Sequence, residues 1–467
     1  MAVLPDPRFM PHNLHLEEPA EFAAWDPQLR AVGRLPLVHR SALLAHLPCA
    51  QPGIYSLTGG RQVGKTTVLK QWMADLLRDG TPPGDILYLA GELIDDHQTL
   101  VRLLGEWLAA PAARVRYVLL DAVTCIRAWD RGVKFLADTG ALEAVVLLLT
   151  GSDTVLLRDL RIQLPGRRGA AGAHDFHLYP LTLWETAALK GVVDASPAEA
   201  DKLPPATVDA LFAEFDQYLG HGGYLRAIND LAADATIAPA TCAVYADWIR
   251  GDVLKRGKRE STLREVLAAL VARLGSQVTW NGLARELSVE HPATVQDYVE
   301  LLARMDAVLI QPALREDKLA AAPKKARKVG FLDPFVLHAV RSWLTPTPDP
   351  YAAQVRPTLA DPEWAGRLAE LCAVGHYARF RPTYYLKAEG EVDIAYVADG
   401  RCWPLEVKWT GQLHAKSLKQ ITKYPHGRIL TRRREAGEIA GVRTEPLPVA
   451  LWRLGPSPWV RGEEAGA

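Results

Sequence analysis

Ser56-Leu57-Thr58-Gly59-Gly60-Arg61-Gln62-Val63-Gly64-Lys65-Thr66-Thr67 follows the pattern G-x-x-x-x-G-K-[ST] and stands between an apolar, strand-like run and a helix-like run that begins near Thr66. Glycines at 59, 60 and 64 let the backbone curl so that its N–H groups point inward at phosphate oxygens. Lys65 adds a cation for the β and γ phosphates and Thr66 a hydroxyl for Mg²⁺, while Arg61, Gln62, Val63 and Thr67 complete the loop. A chance glycine turn would lack this strand–loop–helix setting. The stretch therefore predicts a site for ATP or GTP, with ATP and Mg²⁺ as the ligands carried forward.

Working outward, Arg116-Tyr117-Val118-Leu119-Leu120-Asp121 reads as an apolar strand ending in a carboxylate, which places Asp121 beside Thr66 to hold Mg²⁺ through water. The next residue is Ala122, and a methyl group can neither orient an attacking water nor take its proton. Either hydrolysis is crippled or another residue has taken that role. From Ile54 to about Leu183 short apolar runs alternate with helical stretches, among them Ile86 to Leu89, Tyr117 to Leu120 and Ala144 to Leu149. That alternation implies an α/β fold with a parallel sheet covered by helices. Thr150 or Ser152, at the carboxyl end of the last run, is placed to sense a γ phosphate, or else forms a plain strand-end turn.

Residues 1–50 are proline-punctuated and read as a lead-in, and 189–260 read as a helical lid. Within the lid, Gly222-Gly223-Tyr224-Leu225-Arg226 sets Arg226 at a helix start, either reaching back to nucleotide or lying on the surface. Residues 261–344 change grammar: Trp280 to Leu287, a turn at Ser288-Val289 and a helix from Pro292 have helix-turn-helix spacing. Val308-Leu309-Ile310 and Val329-Gly330-Phe331 then form a hairpin whose tip carries Lys318, Lys324, Lys325, Arg327 and Lys328. This is the layout of a winged helix with a basic wing, from which Lys324, Lys325, Arg327 and Lys328 are expected to contact DNA phosphates; a protein-binding module is the alternative. Residues 345–362, with prolines at 346, 348, 350, 357 and 362, read as a linker.

In the last segment, 363–467, Glu391-Val392-Asp393 and Glu406-Val407-Lys408 lie on two strands joined by Ala398-Asp399-Gly400-Arg401. Alternate strand residues share a face, so Glu406 and Lys408 project together and Asp393 lies on the paired strand. Asp393 and Glu406 would hold Mg²⁺, Lys408 would stabilise developing charge, and Glu370 on a preceding helix is a third carboxylate. A charged hairpin facing solvent is the plainer alternative.

At 467 residues the chain suggests about three domains. Lys+Arg and Asp+Glu balance at 54 each, so nucleic-acid contact must come from local patches. Cys49, Cys125, Cys242, Cys372 and Cys402 are widely spaced, against a disulfide framework or zinc site. Without a signal pattern or a long apolar run, a cytoplasmic protein with no membrane association is expected.

Together these residues resemble a family of archaeal and bacterial AAA+ ATPases that carry a C-terminal winged helix and a restriction-endonuclease-like domain of the PD-(D/E)xK type. The landmarks run from Gly59 to Lys408: the phosphate loop, Leu119-Leu120-Asp121 with Trp129, Thr150-Gly151-Ser152, Leu164-Pro165-Gly166-Arg167-Arg168-Gly169, Tyr179 to Glu185, and the Glu-Val-Asp and Glu-Val-Lys pairs. The resemblance implies an AAA+ domain over 51–188 and a nuclease-like domain over 363–467. It also implies that Arg167 or its neighbour Arg168 is an arginine finger reaching an adjacent subunit, and hence a homo-oligomer, a hexameric ring. Ala122 departs from the family's Asp-Glu pair. The expected activity is ATP-driven action on duplex or branched DNA, which the C-terminal domain binds or cuts; the alternative is a nucleotide-controlled switch or defence sensor without nuclease chemistry.

Overall fold

The structure, a computed structural model, describes residues 4, 6–48, 50–110, 115–151, 160–410 and 418–460. The chain divides into two compact units, Met1–Leu178 and Tyr179–Ala467.

In the first unit, β1 (Gly53–Thr58), β2 (Ile86–Ala90), β3 (Arg116–Asp121), β4 (Val145–Thr150) and β5 (Asp175–His177) form an all-parallel sheet in the order β2-β3-β4-β1-β5. The apolar runs of β1 to β4 are buried on both faces, as a helix-covered parallel sheet requires. Helices α1 (Lys65–Arg78), α2 (His97–Leu108) and α3 (Trp129–Asp138) connect them. Leu100, Leu103, Leu104, Val133 and Leu136 pack from α2 and α3 against Leu87, Val118 and Leu147 of the sheet. Arg116 begins β3 and is buried because its guanidinium donates to the carbonyls of Trp107 (2.9 Å), Leu108 (3.0 Å) and Ala110 (2.6 Å). There it satisfies the exposed carbonyls at the C-terminal end of α2.

The lead-in forms short 3₁₀ turns at Pro7–His12 and Leu14–Leu16 that lie along the edge strand β2. Asn13 donates to Tyr88 O and accepts from Tyr88 N, each at 2.8 Å, while His15 Nε2 donates to Ile86 O at 3.0 Å. Lys70 of α1 is fully buried, paired with Asp26 at 3.0 Å and donating to His12 O at 2.7 Å.

The second unit begins with α4 (Leu183–Leu189), α5 (Pro205–His221), α6 (Leu225–Asp234) and α7 (Pro239–Leu254), the helical stretch expected from the lack of strand patterns. There follow α8 (Glu260–Ala272), β6 (Gln277–Val278), α9 (Trp280–Glu286), α10 (Pro292–Arg304), β7 (Val308–Pro312), a minor hairpin of β8 (Leu314–Arg315) and β9 (Ala320–Ala321), β10 (Arg327–Phe331) and α11 (Pro334–Leu344). β10 pairs antiparallel with both β6 and β7, and Val308, Leu309 and Ile310 face Phe331, Gly330 and Val329 in register, the hairpin read from sequence.

Within 345–362, where a linker is expected, residues 345–349 are irregular and most of the rest is helical. Tyr351–Val355 makes a π turn that runs into Arg356–Ala360, and α12 (Pro362–Phe380) follows. Pro357 and Pro362 sit in first turns, where a missing N–H costs little, Pro346 and Pro348 lie in the irregular stretch, and Asp361 caps α12 through the amides of Glu363 and Trp364, both at 2.9 Å.

The chain ends in a mixed six-stranded sheet, order β11-β12-β13-β14-β16-β15, with β11 (Thr383–Lys387), β12 (Glu391–Ala398), β13 (Arg401–Lys408), β14 (Arg428–Thr431), β15 (Gly437–Ile439) and β16 (Val442–Pro446), and then α13 (Leu447–Trp452). Asp399 (φ 52°) and Gly400 (φ 66°) turn β12 into β13 with two left-handed residues, the conformation that matches strand twist in a tight hairpin.

A buried node ties these segments together. Asp333 accepts from Phe335 N and Gly223 N, both at 2.9 Å, and faces Arg379 at 3.9 Å; Arg379 in turn donates to Pro180 O at 2.8 Å. Gly222 has φ +55°, and a Cβ there would stand 1.7 Å from Asp333 Oδ1, which explains the glycine pair before Tyr224.

His15 generates a test of the lead-in. Burial pushes its imidazole down to about 4, below the ordinary value near 6.5, so the folded state keeps it neutral while the unfolded chain protonates it as pH falls. Stability from this group is present above pH 6.5 and lost toward pH 4, about 2 kcal/mol between pH 7 and pH 5. Hydrogen exchange of the β2 amides should show this loss in the wild type and a smaller one in His15→Gln.

Candidate functional site

The phosphate loop closes between β1 and α1. Gly64 holds φ +105° immediately before the helix, a conformation side-chain-bearing residues rarely adopt, so the loop turns there and presents the first amides of α1. Lys65 Nζ donates to Gly59 O at 2.9 Å and Gly60 O at 2.7 Å, and Gln28 Nε2 from the lead-in donates to Thr67 Oγ1 at 2.9 Å. Arg61, Gln62 and Val63 span the turn, with Gln62 at positive φ (62°) and exposed.

Thr66 and Asp121 meet as the sequence predicts: Thr66 Oγ1 donates to Asp121 Oδ2 at 2.6 Å. Two further hydroxyls converge on the same carboxylate. Tyr88 from β2 donates to Oδ2 at 2.7 Å, and Thr150 from β4 donates to Oδ1, to which Ala122 N also donates at 3.0 Å. Burial and then the charge of Asp121 push the Tyr88 phenol far above its ordinary range, so it stays a donor. Its ring is flanked by His12, stacked at 5.5 Å, and by Lys70 Nζ, 3.9 Å from its centroid. Sequence reasoning missed Tyr88; the available signal was a lone phenol in an otherwise aliphatic strand. Thr150, one of two residues placed to sense phosphate, is fully buried with its hydroxyl on Asp121, and Ser152 lies outside the described residues. Ala122 leaves the strand in a left-handed conformation (φ 52°, ψ 39°).

The paired arginines separate. Arg168 is buried: its guanidinium grips Asp175 through both nitrogens (2.8 and 2.6 Å) and donates to Ile54 O (3.1 Å) and His174 O (3.0 Å), clamping β1 to β5. It is a structural arginine, and the expectation that it serves as a finger is corrected. Arg167 points outward and pairs with Asp138 at the end of α3, both partly exposed. Arg226 is exposed in the first turn of α6 in the second unit.

Of the basic tip, Lys324 and Lys325 are exposed and Arg327 is half-buried with its guanidinium 4.4 Å from the centroid of Trp280. Lys328 departs from the expectation of a phosphate contact. Strand alternation turns it to the opposite side from Arg327, where it is 4% exposed and its ammonium meets Glu370 at 2.8 Å, Glu391 at 2.5 Å and Asp393 at 3.6 Å.

The C-terminal carboxylates therefore assemble around a lysine. Asp393 Oδ2 accepts from Val407 N at 2.9 Å, and Glu406, 4% exposed, is held by Lys408. Burial pulls the Lys328 ammonium down, but Glu370, Asp393 and Glu391 outweigh it and hold the group above its ordinary range. Burial, reinforced by Asp393, pushes Glu370 up to about 7 and Glu406 up to about 8. Among the described residues no group of three or more His, Cys, Asp and Glu side chains is arranged to hold a metal ion. Asp393 and Glu370 share the ammonium of Lys328 and Glu406 is held by Lys408, so as folded these carboxylates are met by lysines and do not fit Mg²⁺. Glu391, also gripped by Gln277 Nε2, is the member of this cluster that sequence reasoning left aside.

Residues 51–187 match the family model of an AAA domain, and 212–347 match that of a domain of unknown function (DUF8612). Residues 51–187 thus form an AAA domain. No curated protein matches the chain in sequence. Among solved structures, the chain is similar to the Walker-type ATPase of Pyrococcus abyssi (13% identity, 62% of this chain and 91% of that one, TM-score 0.40). It is also similar to Cdc6p of Pyrobaculum aerophilum (14%, 74% and 95%, 0.24) and to the Orc1 protein of Aeropyrum pernix, solved in complex with DNA (14%, 76% and 95%, 0.31). No helix among the described residues is long and apolar enough to cross a membrane.

The two arginines should differ on mutation. Arg168→Ala strands Asp175 and should cost about 3 to 5 kcal/mol in urea unfolding, whereas Arg167→Ala, at an exposed pair, should leave the unfolding midpoint nearly unchanged.

Proposed function

We propose that the protein binds Mg·ATP in its AAA domain, hydrolyses it slowly, and uses nucleotide state to control how its C-terminal half engages DNA. The observation that carries this reading is the 2.6 Å hydrogen bond from Thr66 to Asp121 at the mouth of a complete phosphate loop. The residues fit the ligands: the loop amides and Lys65 answer phosphate charge, and Thr66 and Asp121 supply the hard oxygen donors that Mg²⁺ prefers. When bound, the metal would neutralise charge on the phosphate oxygens. The chain's own contribution is positional. Tyr88, Thr150 and Ala122 N hold the Asp121 carboxylate in one orientation, and the methyl of Ala122 leaves the attacking water without a proton acceptor at that place.

In this reading the segment 261–344 is a winged helix that meets DNA phosphates through Lys324, Lys325 and Arg327, and the C-terminal sheet is a restriction-endonuclease-like domain that contacts the same DNA. Arg167 reaches the nucleotide of a neighbouring copy in a homo-oligomeric ring, for which a hexamer is the size proposed, in the cytoplasm. A second reading, a nucleotide-controlled switch that recruits partners without chemistry of its own, is favoured by Ala122.

Three measurements test the proposal. Calorimetry should show Mg·ATP binding by the wild type and none by Lys65→Ala, and Ala122→Glu should raise phosphate release by about 100-fold; equal turnover in Ala122→Glu and wild type would favour the switch. Replacing Lys324, Lys325 and Arg327 with Gln should lower the salt slope of DNA binding by about 0.9 per lost phosphate contact. An unchanged slope would move the DNA to another surface.

A further inference from the structure

The three strands of the small sheet direct a donor each toward β11 and β12. Gln277 of β6 donates to the Glu391 carboxylate, Gln311 of β7 donates to Tyr384 O (2.9 Å) and Asp393 O (3.0 Å), and Lys328 of β10 enters the carboxylate cluster. Tyr385 of β11 answers in the other direction, its hydroxyl donating to Ala326 O at 2.6 Å. The contact is specific at backbone and side-chain level, and its centre is one ammonium shared among three carboxylates. A lysine is an unusual resident of such a place. An ammonium loses most of its hydration when nine-tenths buried, and it persists there only where several anions replace the water.

We propose that Lys328 is the resident cation of the Glu370–Glu391–Asp393 cluster and excludes a divalent metal from it, so that the C-terminal site is shut for as long as β10 lies against β11 and β12. A divalent ion would use the same carboxylate oxygens that Lys328 now occupies, and it would stand within a few ångströms of a like charge. Metal and lysine are therefore alternatives. Metal exclusion follows from the contacts alone, whereas its consequence for DNA cleavage rests on the nuclease-like reading of the sheet.

The test uses the full chain without nucleotide, with Mn²⁺ as the probe and its free-ion electron paramagnetic resonance signal as the readout. Sites in the cluster are identified by their loss in Asp393→Asn. The wild type and Lys328→Arg should show no such site, and Lys328→Met should gain one, binding Mn²⁺ at least about tenfold more tightly than the wild type. Lys328→Met should also melt at lower temperature in EDTA and recover on adding Mn²⁺, since the metal replaces the lost charge. Should Lys328→Met fail to fold, Lys328→Met with Glu370→Gln removes one charge of each sign and should gain the site in its place. Equal Mn²⁺ binding by wild type and Lys328→Met, or none by either Met variant, overturns the proposal. DNA cleavage by metal-loaded Lys328→Met decides the other matter separately: metal binding without cutting leaves Lys328 as the resident cation and removes the nuclease reading.

Discussion

A charge taken out of water must be met inside the protein, and the organisation of this chain follows from where it meets them. Asp26 meets Lys70 beneath the lead-in, Asp175 meets Arg168 between β1 and β5, Asp333 meets two backbone amides and Arg379, and Glu370, Glu391 and Asp393 meet Lys328. Apart from Arg168 and Asp175, seven residues apart, the charged side chains that meet come from segments distant in sequence. Such pairs add little net stability, because desolvation consumes most of the attraction, but breaking one leaves a buried charge uncompensated. They specify which surfaces go together while the apolar core supplies the driving force.

That distinction sets what the sequence could disclose. The phosphate loop was legible because its chemistry is local: glycines, Lys65 and Thr66 act within one turn of chain. The parallel sheet was legible because strands buried on both faces must be continuously apolar, as β2, β3 and β4 are. The β7–β10 pairing and the Asp399-Gly400 turn were legible for similar reasons. The stretch near 350 holds more helix than its prolines suggest because Pro357 and Pro362 sit in first turns, where proline is tolerated. Lys328 was misread because alternation along a strand tells which residues share a face but not what that face meets, and Arg168 because the resemblance that suggested a finger says nothing of the Asp175 that buries it. A basic run looks like a solvated tip until the second sheet is in place.

The nucleotide side shows the complementary case, in which a correctly placed residue has more neighbours than a motif reveals. Asp121 is the meeting point of hydroxyls from α1, β2 and β4, so three elements converge on one carboxylate. Its neighbour Ala122 adopts a left-handed backbone that turns its N–H onto Asp121, and the strand ends there. The orientation of the acid and the termination of the strand share one cause.

The lead-in along β2 has a different reach. Asn13 takes both backbone groups of Tyr88 and His15 takes the carbonyl of Ile86, so the outward-facing groups at the centre of that edge are taken. An open edge of a parallel sheet is a template onto which a strand from another molecule can add. Here that template is quenched from within the chain by two polar side chains on an irregular segment, which cannot itself propagate a sheet. Copies of this protein that associate must therefore do so through side-chain surfaces rather than by continuing one sheet across molecules at β2, and removing the first sixteen residues would uncover a sticky edge.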